Sequence, residues 1–388
     1  MKKITLVIVC VFFITKSYCQ TSTVSMNYKL NKVLNFNKAK INSSQVEDNA
    51  KFFVNENVLA VLFQNKKGLE ISFFNLDNYE EIKMNFDKKK IKKIKVENVV
   101  NFIFNKSVIV INEIEGKTHI LSFNDENRYQ MIKKNRIDYS LLVGNSLFLF
   151  RYYVYGYKNT NNSIIYKYRL NGQFVDSLDL KSKYLEYTFF APQKVFASNN
   201  EYIFQGTFGD YNILKIDTNL KIIDTIKINH PNWVLPLKTF NDDFALNNDE
   251  NFKYISNENM NRISKIEHLD IMNDSILVVR WLFKDSNCKY NLRKLDKINI
   301  NNNQLVSSLL ETEEYLKIGD IKMKEAGFPL TSSNYPCIYY KNMILHLKFD
   351  FEGFIPNPEN THREYRTINT KSQKNKEPII TVWIFKEK

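Results

Sequence analysis

Short polar turns followed by continuous apolar runs recur along this chain. The runs lie within 57–63, 107–111, 145–150, 201–204, 274–279 and 342–345, as in Val58-Leu59-Ala60-Val61-Leu62-Phe63. Apolar stretches of this length between turn residues read as strands covered on both faces. Each run is followed by an alternating strand, a tight polar turn and a second alternating strand. The clearest copies of that cassette are 166–180 and 214–228, offset by 48 residues without a gap. Asn171 meets Asn219 in this alignment, and Asp176-Ser177 meets Asp224-Thr225. Weaker copies lie at 71–86, 120–127 and 290–300. Asn171-Gly172 predicts a two-residue hairpin turn with both central residues at positive φ; Asp, Asn and Thr turn the chain elsewhere.

A strand-based repeat of roughly 40 to 50 residues indicates propeller blades rather than a helical solenoid. The expected fold is therefore an all-β propeller of four-stranded antiparallel blades. The six apolar runs predict six blades, and a poorer copy at 240–246 makes seven the alternative. Ring closure is expected to pair an N-terminal strand near 24–30 with a C-terminal strand near 379–385, hiding edges that an open sheet would expose. Residues 301–340 break the rhythm and read as an insertion, with short helices over 311–317 and 321–327. Insertions in repeat proteins collect on the binding face, although a loop that merely covers an edge fits as well. Residues 353–378, with Pro356, Pro358 and Pro378, read as a long exposed loop.

The first 19 residues read as an export signal. Lys2 and Lys3 precede an apolar stretch over 4–14, and Ser17 and Cys19 are small residues at the peptidase-read positions. The expected cleavage falls between Cys19 and Gln20, leaving 20–388 as a single propeller domain. The alternative is acylation of Cys19, giving a lipid anchor, but Lys16 and Tyr18 occupy positions where a lipoprotein signal favours Leu and a small residue. No later segment is apolar enough to span a bilayer as a helix. The mature chain keeps only Cys288 and Cys337. Two cysteines do not make a disulfide scaffold, and sequence leaves open whether they pair.

The chain carries a formal net charge of +13, of which +10 belongs to residues 20–388. Lysines are densest over 88–95 and again at Lys371, Lys374 and Lys376. Such surfaces attract nucleic acid, anionic lipid or acidic polysaccharide. Export argues against nucleic acid, and the plain reading of 88–95 is a solvated loop or an edge strand guarded by lysine. The histidines His119, His230, His268, His346 and His362 lack partners at metal-ligand spacing. No metal site and no cofactor site is therefore expected. Residues 206–210 lack the third glycine and helix of a phosphate loop and read as a β-turn. The oxygen-rich stretches 241–243 and 247–251 match no calcium-loop spacing. Phe148, Phe150, Tyr152, Tyr153, Tyr155 and Tyr157 form the best candidate for a sugar-stacking surface, but aromatic residues are also ordinary strand residues. Polar residues at strand ends that a channel active site would need to bring together include Asp210, Glu201 and His346. Catalytic residues cannot be assigned on that basis.

The repeat rhythm, the turn-plus-cassette order and Ser17-Tyr18-Cys19-Gln20 together resemble bacterial exported six-bladed β-propellers of TolB-like or NHL-like type. Only 10 Gly and 8 Pro occur here, fewer than NHL repeats use. The resemblance implies a fold and an envelope location, in the periplasm, outside the cell or as an outer-membrane lipoprotein. It implies no activity, because propellers host unrelated functions. The leading expectation is a non-catalytic binding or scaffold protein for an envelope protein or glycan. The alternative is a propeller hydrolase or lyase acting on an acidic polysaccharide or lactone.

Overall fold

The computed structural model describes residues 28–41, 48–123, 129–134, 137–152, 162–181, 195–207, 210–230, 233, 264–284, 291–311, 317–318, 321–322, 337–351 and 378–387. Strand β1 (Tyr28–Phe36) comes first. Blade 1 contains β2 (Ala50–Asn55), β3 (Val58–Asn65), β4 (Gly68–Asn75) and β5 (Glu81–Ile82). A one-turn helix, α1 (Lys88–Ile91), leads to blade 2: β6 (Val99–Phe104), β7 (Val108–Glu113), β8 (Lys117–Ser122) and β9 (Tyr129–Lys133). Blade 3 comprises β10 (Tyr139–Val143), β11 (Ser146–Tyr152), β12 (Asn162–Arg169) and β13 (Phe174–Lys181). Blade 4 comprises β14 (Phe196–Ser198), β15 (Tyr202–Gly206), β16 (Asn212–Asp217) and β17 (Ile222–Lys227). Blade 5 comprises β18 (Lys265–Asn273), β19 (Ile276–Lys284), β20 (Asn291–Asn299) and β21 (Gln304–Glu311). The short strands β22 (Lys317–Ile318) and β23 (Ile321–Lys322) precede β24 (Cys337–Tyr340), β25 (Met343–Phe351) and β26 (Pro378–Glu387).

Blades 1 to 5 are four-stranded meanders in chain order. Blade 6 runs β24-β25-β26-β1, with β22 and β23 added outside β1. The innermost strands β2, β6, β10, β14, β18 and β24 touch in that order, and β24 returns to β2. The result is a closed six-bladed β-propeller, as the repeat count predicts. Closure uses an N-terminal strand slightly later than expected: Val33 pairs with Trp383, Leu34 with Val382 and Phe36 with Ile380.

The apolar runs form β3, β7, β11, β15, β19 and β25, the second strand of each blade rather than the innermost. Successive side chains on a strand point to opposite faces, and here both faces meet a neighbouring blade. In β3, Leu59, Val61 and Phe63 pack with Leu345 and Val382 of blade 6. Ala60 and Leu62 point the other way, into a cluster with Ile109 and Ile111 of blade 2. Val108 and Val110 then meet Leu147 and Leu149 of blade 3. Two-sided burial removes the polar alternation of a half-exposed strand. The core is thus a set of layers between blades rather than one central mass.

The two strong cassettes are the third and fourth strands of blades 3 and 4. Both carry a register shift at matching positions, between Lys167 and Tyr168 and between Lys215 and Ile216. Their turn is longer than Asn171-Gly172 predicts. Gly172 N–H donates to the Arg169 carbonyl, and Arg169 N–H to the Gln173 carbonyl, both at 2.9 Å. Gly172 has φ +80°, while Asn171 is absent from the positive-φ residues. This is a three-residue hairpin with its last residue left-handed. Leu220, at φ +64°, fills the equivalent place in blade 4, where glycine would be less strained.

Within 301–340 the described residues from 304 onward pair into blades 5 and 6. Gln304–Glu311 is the outer strand of blade 5, and Cys337–Tyr340 is the inner strand of blade 6. Lys317–Ile318 and Ile321–Lys322 are strands rather than parts of helices, extending blade 6. The run 88–95 is neither an open loop nor an edge strand. It contains α1, capped by the Asp87 side chain, with Ile91 and Ile94 buried beneath exposed lysines. Residues 1–20, 240–251, 323–336, 353–377 and Cys288 lie outside the described residues, as do the side chain of Cys337 and Lys371, Lys374 and Lys376.

Leu345 is fully buried between blades 6 and 1, whereas Leu305 on the outer strand of blade 5 is 40% exposed. Leu345→Ala should lower unfolding free energy by about 2–5 kcal/mol in denaturant titrations, and Leu305→Ala by under about 0.5 kcal/mol. Equal effects would contradict the layered core.

Candidate functional site

Antiparallel meanders send their connections to two opposite faces. One face carries the turns between first and second strands, at 56–57, 105–107, 144–145, 199–201, 274–275 and 341–342. Asparagine makes several of them compact. Asn105 Oδ1 accepts from Ser107 and Val108 N–H at 2.8 and 2.9 Å, and Asn199 Oδ1 from Glu201 and Tyr202 N–H at 3.0 and 2.8 Å. Such side-chain turns need few residues. The opposite face receives every second-to-third connection and every link between blades. Among these are 153–161, 182–195, 228–264, 285–290, 312–336 and 352–377. Nearly all the long connections of the chain therefore begin and end on one face.

The buried polar residues have a different job. In each interface between blades, at least one polar contact crosses. Between blades 1 and 2 the contact is an exposed one: Glu56 and Lys106, on neighbouring turns, pair at 2.7 Å. Asn112, fully buried, donates to Ser140 Oγ at 2.7 Å between blades 2 and 3 and accepts from Thr118 Oγ1 at 2.8 Å. Gln205 Nε2 donates to Ser163 Oγ at 2.9 Å between blades 4 and 3. Asp270 Oδ2 accepts from Tyr339 N–H at 3.2 Å between blades 5 and 6 and contacts His268 Nε2 at 2.7 Å. Tyr340 Oη accepts from Asn57 N–H at 2.8 Å, joining blade 6 to blade 1.

The contact between blades 4 and 5 is the most elaborate. Asp296 Oδ2, fully buried on β20, accepts from Tyr211 Oη at 2.5 Å and Trp281 Nε1 at 2.8 Å. Trp233 stacks on Tyr211 with ring centroids 4.9 Å apart, and the His230 ring meets Trp281 edge-on at 4.6 Å. Lys294 Nζ lies 3.2 Å from His230 Nε2 and 5.6 Å above the Trp281 ring. Burial, with the Asp296 charge adding to it, pushes the Tyr211 hydroxyl well above its ordinary range. Burial lowers His230, and the Lys294 charge lowers it further. Burial also lowers Lys294, against the pull of Asp296. These groups sit at the loop-bearing end of both blades, and sequence inspection gave no sign that positions 211, 281 and 296 would meet.

The residues considered for a channel site do not assemble. Glu201 precedes β15 on the turn face, and Asp210 follows it on the loop face. His346 is buried on β25, opposite Cys337 and Trp383. His119 is held between Glu113 Oε1 at 2.6 Å and Tyr129 Oη at 2.7 Å. Among the described residues, no group of three or more His, Cys, Asp or Glu side chains is placed to hold a metal ion. Phe148 and Phe150 are fully buried, Phe150 with its ring centroid 3.9 Å from that of Phe196, so they are core rather than a sugar platform. Tyr153, Tyr155 and Tyr157, and the side chain of Tyr152, lie outside the described residues. Gly206 ends β15 and Thr207 begins the β15–β16 connection, with Thr207 N–H donating to the Asn212 carbonyl at 2.9 Å. No helix among the described residues is long and apolar enough to cross a membrane.

No protein-family profile matches the chain, and no curated protein does. Solved structures do match. A protein of Bacteroides fragilis NCTC 9343 described as exported aligns over 95% of this chain and 98% of its own, at 12% identity and a TM-score of 0.50. That likeness is one of fold. BamB of Moraxella catarrhalis aligns over 72% of this chain and 67% of its own, at 10% identity and a TM-score of 0.39. The WD40 propeller domain of Doa1 aligns over 93% and 97%, at 9% identity and a TM-score of 0.37.

The lowered His230 sets a direction for pH dependence. Its folded form holds a proton less tightly than the unfolded chain, so its contribution to stability is full above about pH 6.5 and is lost as pH falls through the lower folded value. His230→Gln should therefore reduce the stability loss between pH 7.5 and 5.5, read from denaturant midpoints. An unchanged or larger loss in the variant would contradict the neutral, half-buried imidazole.

Proposed function

We propose that this protein is an exported propeller of the bacterial cell envelope that binds a protein or glycan on its loop-bearing face, as a non-catalytic scaffold. The observation that carries this reading is the one-sided distribution of connections. The turn face is closed by short asparagine-capped turns, while the variable length of the chain is spent on the other face. Binding residues concentrate on loops that a rigid frame holds in place. The polar stitches between blades supply that frame, and they account for buried side chains that would otherwise suggest a channel active site.

Export rests on residues 1–20 of the sequence, and kinship with TolB-like or NHL-like exported propellers belongs to the same proposal. Mature protein isolated from its native envelope should begin at Gln20. Recovery of a lipid-modified Cys19, lost in Cys19→Ala, would replace free secretion with a lipid anchor.

The binding face is tested by paired variants. In one, residues 234–263 are replaced by a short Gly/Ser linker. In the other, 300–303 on the turn face are replaced. After cross-linking in native envelopes, the partner should be lost from the first variant and kept by the second. A partner retained by the first and lost from the second would move the binding surface to the opposite face.

A further inference from the structure

Three lysine-bearing segments, far apart in sequence, meet at one corner of the loop-bearing face. Lys40 follows β1, Lys66 and Lys67 form the β3–β4 turn, and Lys92, Lys93 and Lys95 follow α1. Their backbones are locked together. Lys40 N–H donates to the Gln64 carbonyl at 2.6 Å, and Val96 N–H donates to Gln64 Oε1 at 3.2 Å. Gly68, at φ +127°, lies so close to Lys92 that a Cβ there would come within 2.6 Å of the Lys92 carbonyl oxygen. Ile91, Ile94 and Val96 are buried underneath and fix the segment to the blade.

All six lysines are exposed. Lys95 pairs with Glu97 at 3.3 Å. The other five make no ion pair among the described residues. The nearby acids are Asp87, which caps α1 through Lys89 N–H at 2.9 Å, Glu70, which accepts from the Asn65 side chain, and Glu97 on the groove wall, so the six lysines outnumber these carboxylates. A groove of about 280 Å³ runs between the segments, lined by Lys40, Gln64, Lys95, Val96 and Glu97. Its size approaches the lower end of small-ligand sites, about 300 Å³.

We propose that this corner binds a linear anionic glycan, with the lysines contacting successive acidic groups and the groove holding one sugar unit. The proposal rests on the loop-bearing face being the binding face and names the partner class for one part of it. Lysine supplies hydrated point charges that suit spaced anions, and single contacts too weak alone add up along a polymer. Among the described residues the corner has no exposed aromatic ring to stack a base, as single-stranded nucleic acid would require. Of the exposed large apolar side chains among the described residues, Ile114 lies beside the corner, its N–H donating to the Asn98 carbonyl at 2.8 Å, and one side chain is a small wedge for a bilayer. The strand β1 runs toward this face, from Tyr28 at the opposite one.

The test uses residues 20–388 and immobilised polygalacturonate, heparin and neutral dextran at rising salt. Polygalacturonate or heparin should bind, and dextran should not. The quadruple variant K66A/K67A/K92A/K93A should bind at least about tenfold more weakly, with an unchanged thermal midpoint. K221A/K227A on blade 4 should bind as the parent does. Equal binding by the quadruple variant would overturn the proposal, as would stronger binding to phosphatidylglycerol vesicles or to an oligonucleotide. Replacing residues 234–263 should leave glycan binding intact. Loss of the glycan there, with the lysine variant unaffected, would keep the binding face and reject the corner.

Discussion

The pairing of β1 with β26 is the constraint on which the rest of the structure depends. Every blade here has two apolar faces, and each face is covered only if a neighbour stands against it. A row of blades would leave two faces bare; a ring leaves none. The chain closes the ring by giving its first described strand to its last blade, where Val33, Leu34 and Phe36 pair with Trp383, Val382 and Ile380. Leu34 and Phe36 then complete the layer that also contains Leu59 and Val61 of blade 1. Breaking that pairing would expose apolar surface on both blades and leave β26 as an open edge, which invites association with other chains.

Closure also explains why polar groups are buried at all. Apolar layers between similar blades do not by themselves specify how one blade sits on the next. Directional contacts do. Tyr211 and Trp281 converge on Asp296, and Asn112 reaches both Thr118 and Ser140. Each is costly if left unmade, because a buried donor without an acceptor loses its water and gains nothing. Their geometry therefore penalises any slipped arrangement of the blades. The same logic makes these residues poor candidates for chemistry: a side chain holding two blades in register is not free to change partners during a reaction.

Much of this architecture was legible in the sequence, and the reasons are local. The continuous runs such as Leu59 to Phe63 betray two-sided burial directly, and the offset between Leu170-Asn171 and Thr218-Asn219 gives the repeat. The turn at Asn171-Gly172 was misjudged because positive φ at one residue and at two look alike in sequence; the bulge beside Tyr168 depends on the pairing partner. Residues 304–311 looked irregular because an outer strand is exposed on one side, and its polar content hides the alternation. The site was far less legible. Tyr211, Trp281 and Asp296 meet only through blade packing, and no spacing along the chain encodes that contact. The lysines of 88–95 were visible as a run, but their meeting with Lys40, Lys66 and Lys67 was not.

The two halves of the molecule thus answer to different physical demands. The blades are selected by burial and by pairing geometry, so their residues report the fold and little else. The connections on the loop face are free of that demand wherever they leave the blades. The corner around Gln64 shows what such freedom allows. Gly68 and the buried isoleucines 91 and 94 hold three segments rigidly, yet what they hold outward is a set of exposed like charges. Like charges gathered on one small surface repel one another, and neither the fold nor the ring requires them to be there. A fold tolerates such a cluster without gaining from it. An external anion would complete the cluster, so a corner in which lysines outnumber carboxylates fits a surface shaped for a partner better than one shaped for stability.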